Sequence, residues 1–570
     1  MFSYKIDENA CIECENQKLN YKEIHHFVAD LQAVLPKSRQ PIALYLNRNE
    51  YLVMSMIALV YLNIPYVILS KNDPSDRIKY ILEDCNVQLI ITQGKNNKLP
   101  NIPIIDIDLL QHNTLNDIKM EPHRDDDTIY ILYTSGSTGD PKGVEISYSN
   151  INAFIEGFCE RIPLTSKSRI LCHTSSTFDI FFVETLLALQ KGLAVIIADD
   201  STYKNAKKLQ KIIVDKEIDV LQITPSKLHF LLEYSPQNTV LANLKILMIG
   251  GEVFPQNLLK FLKDKTHASI YNLYGPTETT IWATIGDLTN QSTVNLGTPI
   301  LNAQIFVLNK QEIPVVNEVG EIFITGQIVG KGYLHNPSLT NEKFRVIDLP
   351  SIGLVRGFKT GDYGRINLDG NLEYLYRIDN QIKLNGQRLE LEDIESNMIS
   401  MENISKCAVV YIQQDSGDSI VGFFVGQATP SAIRSFLQSK IPDFMIPSQL
   451  IQVDELPYTD NFKIDRKRLI ENYQHQLFSN QVRTFANSKI DTDKRIIDII
   501  SLIGGLVISD DDIQNKDLVS LGINSIQFIK IIVEIEDIFD IRFDDEYLEY
   551  RKFENLRAFI NYVNRKCEKE

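Results

Sequence analysis

Two rhythms of apolar positions run along the chain. The pattern that opens at Leu19-Asn20-Tyr21-Lys22-Glu23-Ile24 and continues to about Leu35 is that of an amphipathic helix. Pro41-Ile42-Ala43-Leu44-Tyr45-Leu46 and Val87-Gln88-Leu89-Ile90-Ile91-Thr92 are short apolar runs of strand length. Between them, Tyr51 to Ser70 carries no charged residue and approaches the length of a membrane span. Asn63 and Pro65 interrupt it, and proline disfavours a helix through that point. The segment therefore predicts a buried helix at about 51–62 and a buried strand at about 66–69. Strands alternating with helices imply a parallel sheet.

The alternation continues with a strand at Tyr130-Ile131-Leu132-Tyr133, a helix around Ser149–Phe158, a strand-helix unit starting at Asp219, and a strand at Leu244–Ile249. Gly320–Gly326 and Lys331-Gly332-Tyr333-Leu334 predict a β-rich subdomain. Residues 471–490 are polar and weakly periodic, which is linker composition. Beyond them, Ile497, Ile500, Leu502 and Ile503 mark one apolar helix face. Ile526, Ile529, Ile532, Val533 and Ile535 mark a second, and a last helix is expected over about Leu556–Asn564.

Composition narrows the function. A chain of 570 residues exceeds one core, and about three domains are expected. The formal net charge of −16 argues against nucleic acid and against an anionic membrane surface. Met1-Phe2-Ser3-Tyr4-Lys5-Ile6-Asp7-Glu8 has neither the basic start nor the apolar run of a secretory leader. The seven cysteines show no framework spacing, and Cys11-Ile12-Glu13-Cys14 has no second pair or histidines for zinc. Reduced thiols and a cytoplasmic protein are expected.

The chemistry concentrates after Tyr133. Thr134-Ser135-Gly136-Ser137-Thr138-Gly139-Asp140-Pro141-Lys142-Gly143 combines hydroxyls, glycines and one lysine. Glycines let backbone N–H groups approach an anion, and Lys142 adds charge. This is a phosphate cradle in composition, though not a Walker loop; alone it reads equally as an ordinary polar loop. Asp179, in Ser176-Thr177-Phe178-Asp179-Ile180-Phe181-Phe182-Val183-Glu184, is a carboxylate inside an apolar run. It should meet a cation or donor, or else cap a helix. Gly250-Gly251-Glu252 ends a strand with small residues, where a flat ring could approach the backbone.

Two strings are specific. The loop at 134–143 and Asn272-Leu273-Tyr274-Gly275-Pro276-Thr277-Glu278-Thr279-Thr280 resemble motifs of the adenylate-forming superfamily, and in particular nonribosomal peptide synthetase adenylation domains. The resemblance implies that Thr134, Ser135, Gly136, Ser137, Thr138, Gly139 and Lys142 hold ATP phosphates. It places Gly251, Glu252, Asn272, Tyr274 and Gly275 around adenine, and gives Thr277 to phosphate and Glu278 to Mg²⁺. Asp362, in Lys359-Thr360-Gly361-Asp362, and Arg377 would contact ribose, with Asp362 expected at a tight glycine turn. Asp379 would be the hinge to a small lobe, and Gly386 would admit a pantetheine arm. Lys463, in Leu456-Pro457-Tyr458-Thr459-Asp460-Asn461-Phe462-Lys463, falls on the catalytic lysine. Leu521-Gly522-Ile523-Asn524-Ser525 resembles a carrier-protein motif, implying 4′-phosphopantetheine on Ser525. Departures from the family pattern are Asp76 in place of a proline, Tyr376 before Arg377, Asn385 before Gly386, Phe462 before Lys463, and Asn524 before Ser525.

The implied fold is α/β. A large adenylation core with sheets sandwiched by helices and a β-rich subdomain spans 1–378, and a small α+β lobe spans 379–470. A linker at 471–490 and a four-helix carrier domain at 491–570 follow. The implied reaction joins an amino acid to AMP and passes it to the carrier thiol, with Lys142, Glu278 and Lys463 as the catalytic set. Asp179 would receive the substrate ammonium. Ile180, Val183, Gln222, Met248, Gly250, Leu273, Ile281 and Trp282 would surround its Cα, resembling glycine-activating domains, with alanine next. Expected partners are a phosphopantetheinyl transferase and downstream biosynthetic enzymes. The alternatives are an aryl- or fatty-acid ligase, which Asp179 disfavours, and a silent scaffold whose carrier is loaded by another enzyme, which Phe462 and Asn524 keep open.

Overall fold

The computed structural model describes the chain apart from residues 1–3, 15–16, 95–98, 111–116, 136–139, 201, 203–204, 234, 351, 378–380, 385–386, 413–417, 458–463, 472, 474–491, 505, 507, 540, 545–546, 549–551 and 568–570. The chain forms two compact units, one built from Met1–Gly136 and Pro141–Arg388, the other principally from Leu389–Glu570.

Two large sheets organise the first unit. In one, Ile104–Asp106, Leu89–Thr92, Ile42–Tyr45, Tyr66–Ile68 and Thr128–Thr134 run parallel, and Lys142–Ser147 returns antiparallel to the last of them. In the other, Cys11–Cys14, Ala194–Ile197, Arg169–Cys172, Val220–Ile223, Ile246–Gly250 and Ser269–Tyr274 are parallel neighbours. Strands buried on both faces divide their side chains between two cores. Ile42 and Leu44 enter the core shared by both sheets, while Ala43 and Tyr45 pack with Ile78, Ile81 and Leu82 of helix Ser75–Asp84. Cys11 and Cys14 lie three apart in a strand, so their side chains leave opposite faces.

The helical patterns hold. Helix Tyr21–Val34 starts at Asn20, whose side chain accepts from the Lys22 and Glu23 N–H groups while Glu23 accepts from the Asn20 N–H. It buries Ile24, Phe27, Val28 and Leu31. The uncharged stretch resolves into helix Glu50–Tyr61, a left-handed Asn63 (φ 53°) and strand Tyr66–Ile68. The helix is buried from Leu52 to Tyr61, which accounts for its lack of charge.

A five-stranded sheet of Ala303–Leu308, Gly320–Gly326, Gly353–Ile366, Phe344–Leu349 and Leu372–Arg377 is the β-rich subdomain. Gly332–Tyr333 does not join that sheet. It forms an edge strand on Lys142–Ser147, because the Lys331 and Leu334 N–H groups donate to the Glu145 and Gly143 carbonyls at 3.0 and 2.7 Å. Asp362 lies within the long strand Gly353–Ile366 rather than at a tight glycine turn. The pairing there slips between Glu321 and Phe323, and Gly361 takes φ 77°. The distortion is a bulge, which re-aims side chains without ending the strand.

In the second unit, helix Leu391–Ile399 and helix Pro430–Lys440 accompany a sheet of Ile404–Ile412, Ser419–Gly426 and Gln449–Gln452. Helices Thr492–Gly504, Asp510–Asn515, Ser525–Phe539 and Leu556–Cys567 then gather around Ile496, Ile500, Phe528, Ile532, Phe559 and Ile560. Most of the expected linker lies outside the described residues. Among the described residues, no helix is long and apolar enough to cross a membrane.

Candidate active site

The Gly/Ser loop joins two antiparallel neighbours, with Thr134 in register with Lys142. Gly136, Ser137, Thr138 and Gly139 lie outside the described residues. At the loop's near end Ser135 is buried. The Thr134 hydroxyl is also buried and has no hydrogen-bond partner among the described residues. A buried orphan hydroxyl at such a loop fits a phosphate oxygen. On the far side, Lys142 Nζ lies 5.3 Å from the centre of the Tyr333 ring, a cation–π contact.

Tyr333, absent from the expected site residues, contacts two of them. Its hydroxyl donates to Glu278 Oε1 at 2.6 Å, and Glu278 is fully buried. The Gly330 N–H also donates to the Glu278 carbonyl at 2.9 Å. One tyrosine thus links the lysine of the loop to the carboxylate expected at Mg²⁺. The available signal was chemical: a tyrosine in an apolar strand needs a partner for its hydroxyl. A buried carboxylate oxygen is a hard donor of the kind Mg²⁺ takes, so Glu278 fits the metal.

A second constellation forms around Asp362. Tyr274 donates to Asp362 Oδ2 at 2.7 Å and Arg377 to Oδ1 at 2.8 Å. Burial, then the Asp362 carboxylate, push the Tyr274 phenol well above its ordinary range. Tyr376, beside Arg377, stacks on Tyr363 with ring centres 5.3 Å apart. Asn272 donates to the Asn295 carbonyl at 2.8 Å. Gly251 takes φ 85°. Glu252 accepts from the Ser226 N–H and hydroxyl at 3.0 and 2.6 Å, so its carboxylate holds the start of helix Pro225–Glu233.

Asp179 is buried at the head of the helical turn Ile180–Phe182 and makes no side-chain cap hydrogen bond. The capping alternative therefore fails. The Tyr130 hydroxyl, buried and without a partner among the described residues, feels its charge: burial and then Asp179 raise the Tyr130 phenol well above its ordinary range. A π-helical turn at Val183–Leu187 follows, the irregularity that often marks sites. Ile180, Val183, Gln222, Met248, Leu273, Ile281 and Trp282 are all buried. Gln222 and Met248 are cross-strand partners, as are Gly250 and Leu273. A Cβ on Gly250 would meet the Leu273 carbonyl at 2.8 Å.

The backbone is strained where this wall meets the Glu278 segment. Thr280 and Ile281 have φ of 57° and 71°. Left-handed conformations at β-branched residues cost of order 1–3 kcal/mol each. Thr280 Oγ1 donating to the Ile328 carbonyl at 2.6 Å helps to hold them. Gly275 makes the turn possible, since a Cβ there would lie 2.6 Å from Trp282 Cα.

Ser525 opens helix Ser525–Phe539. Asn524 is its cap: the Gln527 N–H donates to Asn524 Oδ1 at 2.9 Å and the Asn524 N–H to Gln527 Oε1 at 3.1 Å. The departure at Asn524 is thus a working capping box. Asp379, Gly386, Phe462 and Lys463 lie outside the described residues.

Comparison with known proteins agrees. Residues 4–334 match the AMP-binding enzyme family, 393–463 the AMP-binding enzyme C-terminal domain, and 494–563 a phosphopantetheine attachment site. The dimodular nonribosomal peptide synthase of Bacillus subtilis (strain 168) is 35% identical over 481 residues, covering 81% of this chain and only 20% of that protein. The structure of holo-PA1221, a nonribosomal peptide synthetase protein containing adenylation and carrier domains, superposes with TM-score 0.83 at 20% identity, over 97% of this chain and 94% of that one. Holo-AB3403, a four-domain nonribosomal peptide synthetase bound to AMP and glycine, superposes with TM-score 0.59 at 26% identity, over 97% of this chain and 41% of that one. With its first 334 residues, its C-terminal lobe and its carrier segment all accounted for in this way, the chain belongs to the AMP-binding enzyme family, as an adenylation domain fused to a carrier protein.

Proposed function

We propose that the protein activates an amino acid as its adenylate and transfers it to the phosphopantetheine thiol on Ser525, with glycine as the amino acid and alanine next. The observation that carries this reading is Asp179: a buried carboxylate that caps nothing, at the head of an apolar wall. A substrate ammonium is the charge complement of that carboxylate, and a plain fatty or aryl acid offers no such group.

The substrate carboxylate attacks the α-phosphorus of ATP and pyrophosphate leaves. Catalysis then consists of positioning and charge relief. Lys142 and the Thr134 and Ser135 hydroxyls hold the phosphate end, with Thr277 beside them. Tyr274 flanks adenine while Asp362 and Arg377 take the ribose hydroxyls. Glu278 would hold Mg²⁺, which when bound neutralises phosphate charge. Lys463 is assigned to the bridge between substrate carboxylate and α-phosphate, Asp379 to the hinge and Gly386 to the pantetheine passage.

Glycine is supported by bulk. Val183, Met248, Leu273, Ile281 and Trp282 fill the volume a side chain would need, and the glycine-bound relative holo-AB3403 shares the fold. Steric exclusion discriminates more strongly than the roughly 1–3 kcal/mol that one methyl contact supplies. A phosphopantetheinyl transferase and downstream enzymes acting in trans complete the proposed setting. The test is mass spectrometry of the full chain after incubation with such a transferase, ATP and single amino acids. Glycine on the pantetheinylated carrier is the expected result. Pantetheine without any aminoacyl mass would favour the silent-scaffold reading.

A further inference from the structure

Behind the proposed pocket lies a buried polar cluster that the reaction does not use. His173 follows strand Arg169–Cys172 and is buried. Its Nε2 lies 2.6 Å from the Gln222 carbonyl and its Nδ1 lies 2.8 Å from Lys227 Nζ. An ammonium can only donate, so Nδ1 accepts and Nε2–H is left to donate to Gln222. Burial, then Lys227, hold the imidazole well below its ordinary range, which keeps it in this neutral tautomer. Lys227 Nζ also donates to the His173 carbonyl at 3.3 Å.

A second arm reaches the same residue. Glu184 Oε2 accepts from the His173 and Thr174 N–H groups at 3.0 and 2.9 Å. The Thr174 hydroxyl lies 2.6 Å from Glu184 Oε1 and 3.2 Å from Gln222 Oε1. A hydroxyl has one proton, and the closer carboxylate takes it. The Gln222 amide therefore settles with its Nε2–H₂ toward Thr174 Oγ1. That orientation also gives the buried Gln222 Nε2 the acceptor it otherwise lacks.

We propose that Lys227, acting through His173, and Glu184, acting through Thr174, are positioning residues that hold Gln222 from behind and so set the form of the amino-acid pocket. This rests on the assignment of Gln222 to that pocket. The main-chain carbonyl of Gln222 is fixed by one arm and its amide by the other, so Gln222 cannot turn without breaking one of them. Lys227 is faced by His173 and Cys172 from the strand end, Arg48 from the segment before helix Glu50–Tyr61, and Glu184 from the helical stretch after Asp179. Burial first, then Arg48, bring its ammonium down to about 7. The charge-assisted contact to His173 thus weakens as pH rises through the neutral range.

The test uses the full chain with Lys227→Met, Thr174→Val and Gln222→Ala, each in amino-acid-dependent ATP–pyrophosphate exchange. Each arm is one hydrogen-bonded link, so losing it should raise KM for the amino acid by about tenfold. KM for ATP should stay within about twofold, since the hydrogen bonds of both arms run to Gln222 of the amino-acid pocket. The wild-type amino-acid KM should rise with pH through the neutral range, and Lys227→Met should abolish that step. If Gln222→Ala raises the amino-acid KM but the other two variants leave it and its pH profile unchanged, the positioning role is overturned and the pocket assignment stands. If Gln222→Ala is also without effect, the pocket assignment falls and takes the proposal with it. A uniform loss in Lys227→Met of thermal midpoint and of kcat at every pH marks a purely structural cluster and also overturns the proposal.

Discussion

The Tyr333 hydroxyl donates to Glu278 at 2.6 Å while the ring of the same tyrosine faces Lys142 Nζ at 5.3 Å. The lysine of the phosphate loop and the carboxylate expected at the metal are therefore held at two ends of one side chain. Tyr333→Phe keeps the ring and removes the donor to a buried carboxylate, a loss worth about 1–3 kcal/mol. The expected outcome is a rise of about tenfold in KM for Mg·ATP with the amino-acid KM unchanged. Tyr333→Leu, which also removes the cation–π contact, should be more severe. Pyrophosphate exchange at varied Mg·ATP checks both.

Asp362 accepts from Tyr274 and Arg377 at once. Asp362→Ala leaves a buried phenol and a guanidinium without their acceptor. The expected outcome is a loss of nucleotide affinity of at least about tenfold, from unpaired groups costing about 1–3 kcal/mol each. Calorimetric titration with ATP checks it.

Gly275 passes close beneath Trp282, where a Cβ would meet backbone atoms at 2.6 and 2.7 Å. Backbone cannot yield as a flexible side chain can. Gly275→Ala should cost about 1–3 kcal/mol of stability and remove exchange activity, because it displaces the segment carrying Ile281 and Glu278. Denaturant midpoints and exchange rates check the two parts separately.

Lys227 also makes stability depend on pH. Its folded-state value of about 7 lies below that of a free lysine, about 10.4. Between these two values the unfolded chain binds the extra proton, so stability rises with pH across that window. The benefit is complete above the unfolded value and is lost as pH falls through about 7. Lys227→Met should flatten the difference between urea midpoints measured at neutral and mildly alkaline pH.

The carrier gives a local prediction. Asn524 and Gln527 cap the helix that Ser525 opens. Asn524→Ala should lower that helix's stability by about 1 kcal/mol and slow pantetheinylation, whereas Asn524→Asp should preserve both. Amide hydrogen exchange and mass gain at Ser525 check it.

Much of this was readable from residue order, for physical reasons. Helix Tyr21–Val34 and the break at Asn63 follow from local spacing and capping. Asp179 stood out because a lone carboxylate is costly inside an apolar run, Thr134 and Lys142 because hydroxyls, glycines and a lysine together compose a phosphate loop, and Glu278 only through the resemblance of its string to the adenylate-forming superfamily. Tyr333 did not, because its meaning depends on Glu278 and Lys142, which only the edge strand Gly332–Tyr333 brings to it. Likewise, Lys227 and His173 are separated by strands Ala194–Ile197 and Val220–Ile223 and the helices around them, and meet only in the fold. The Asp362 bulge is hidden in the sequence because Lys359-Thr360-Gly361-Asp362 has turn composition, while its pairing partners lie in Gly320–Gly326.

The most direct measurement is ATP–pyrophosphate exchange with glycine against acetate, its counterpart without the amine, in wild type and Asp179→Ala. The expected result is exchange with glycine and none with acetate, with the glycine signal lost in Asp179→Ala. Exchange with acetate equal to that with glycine, or a glycine signal that survives Asp179→Ala, would contradict the placement of an ammonium against Asp179.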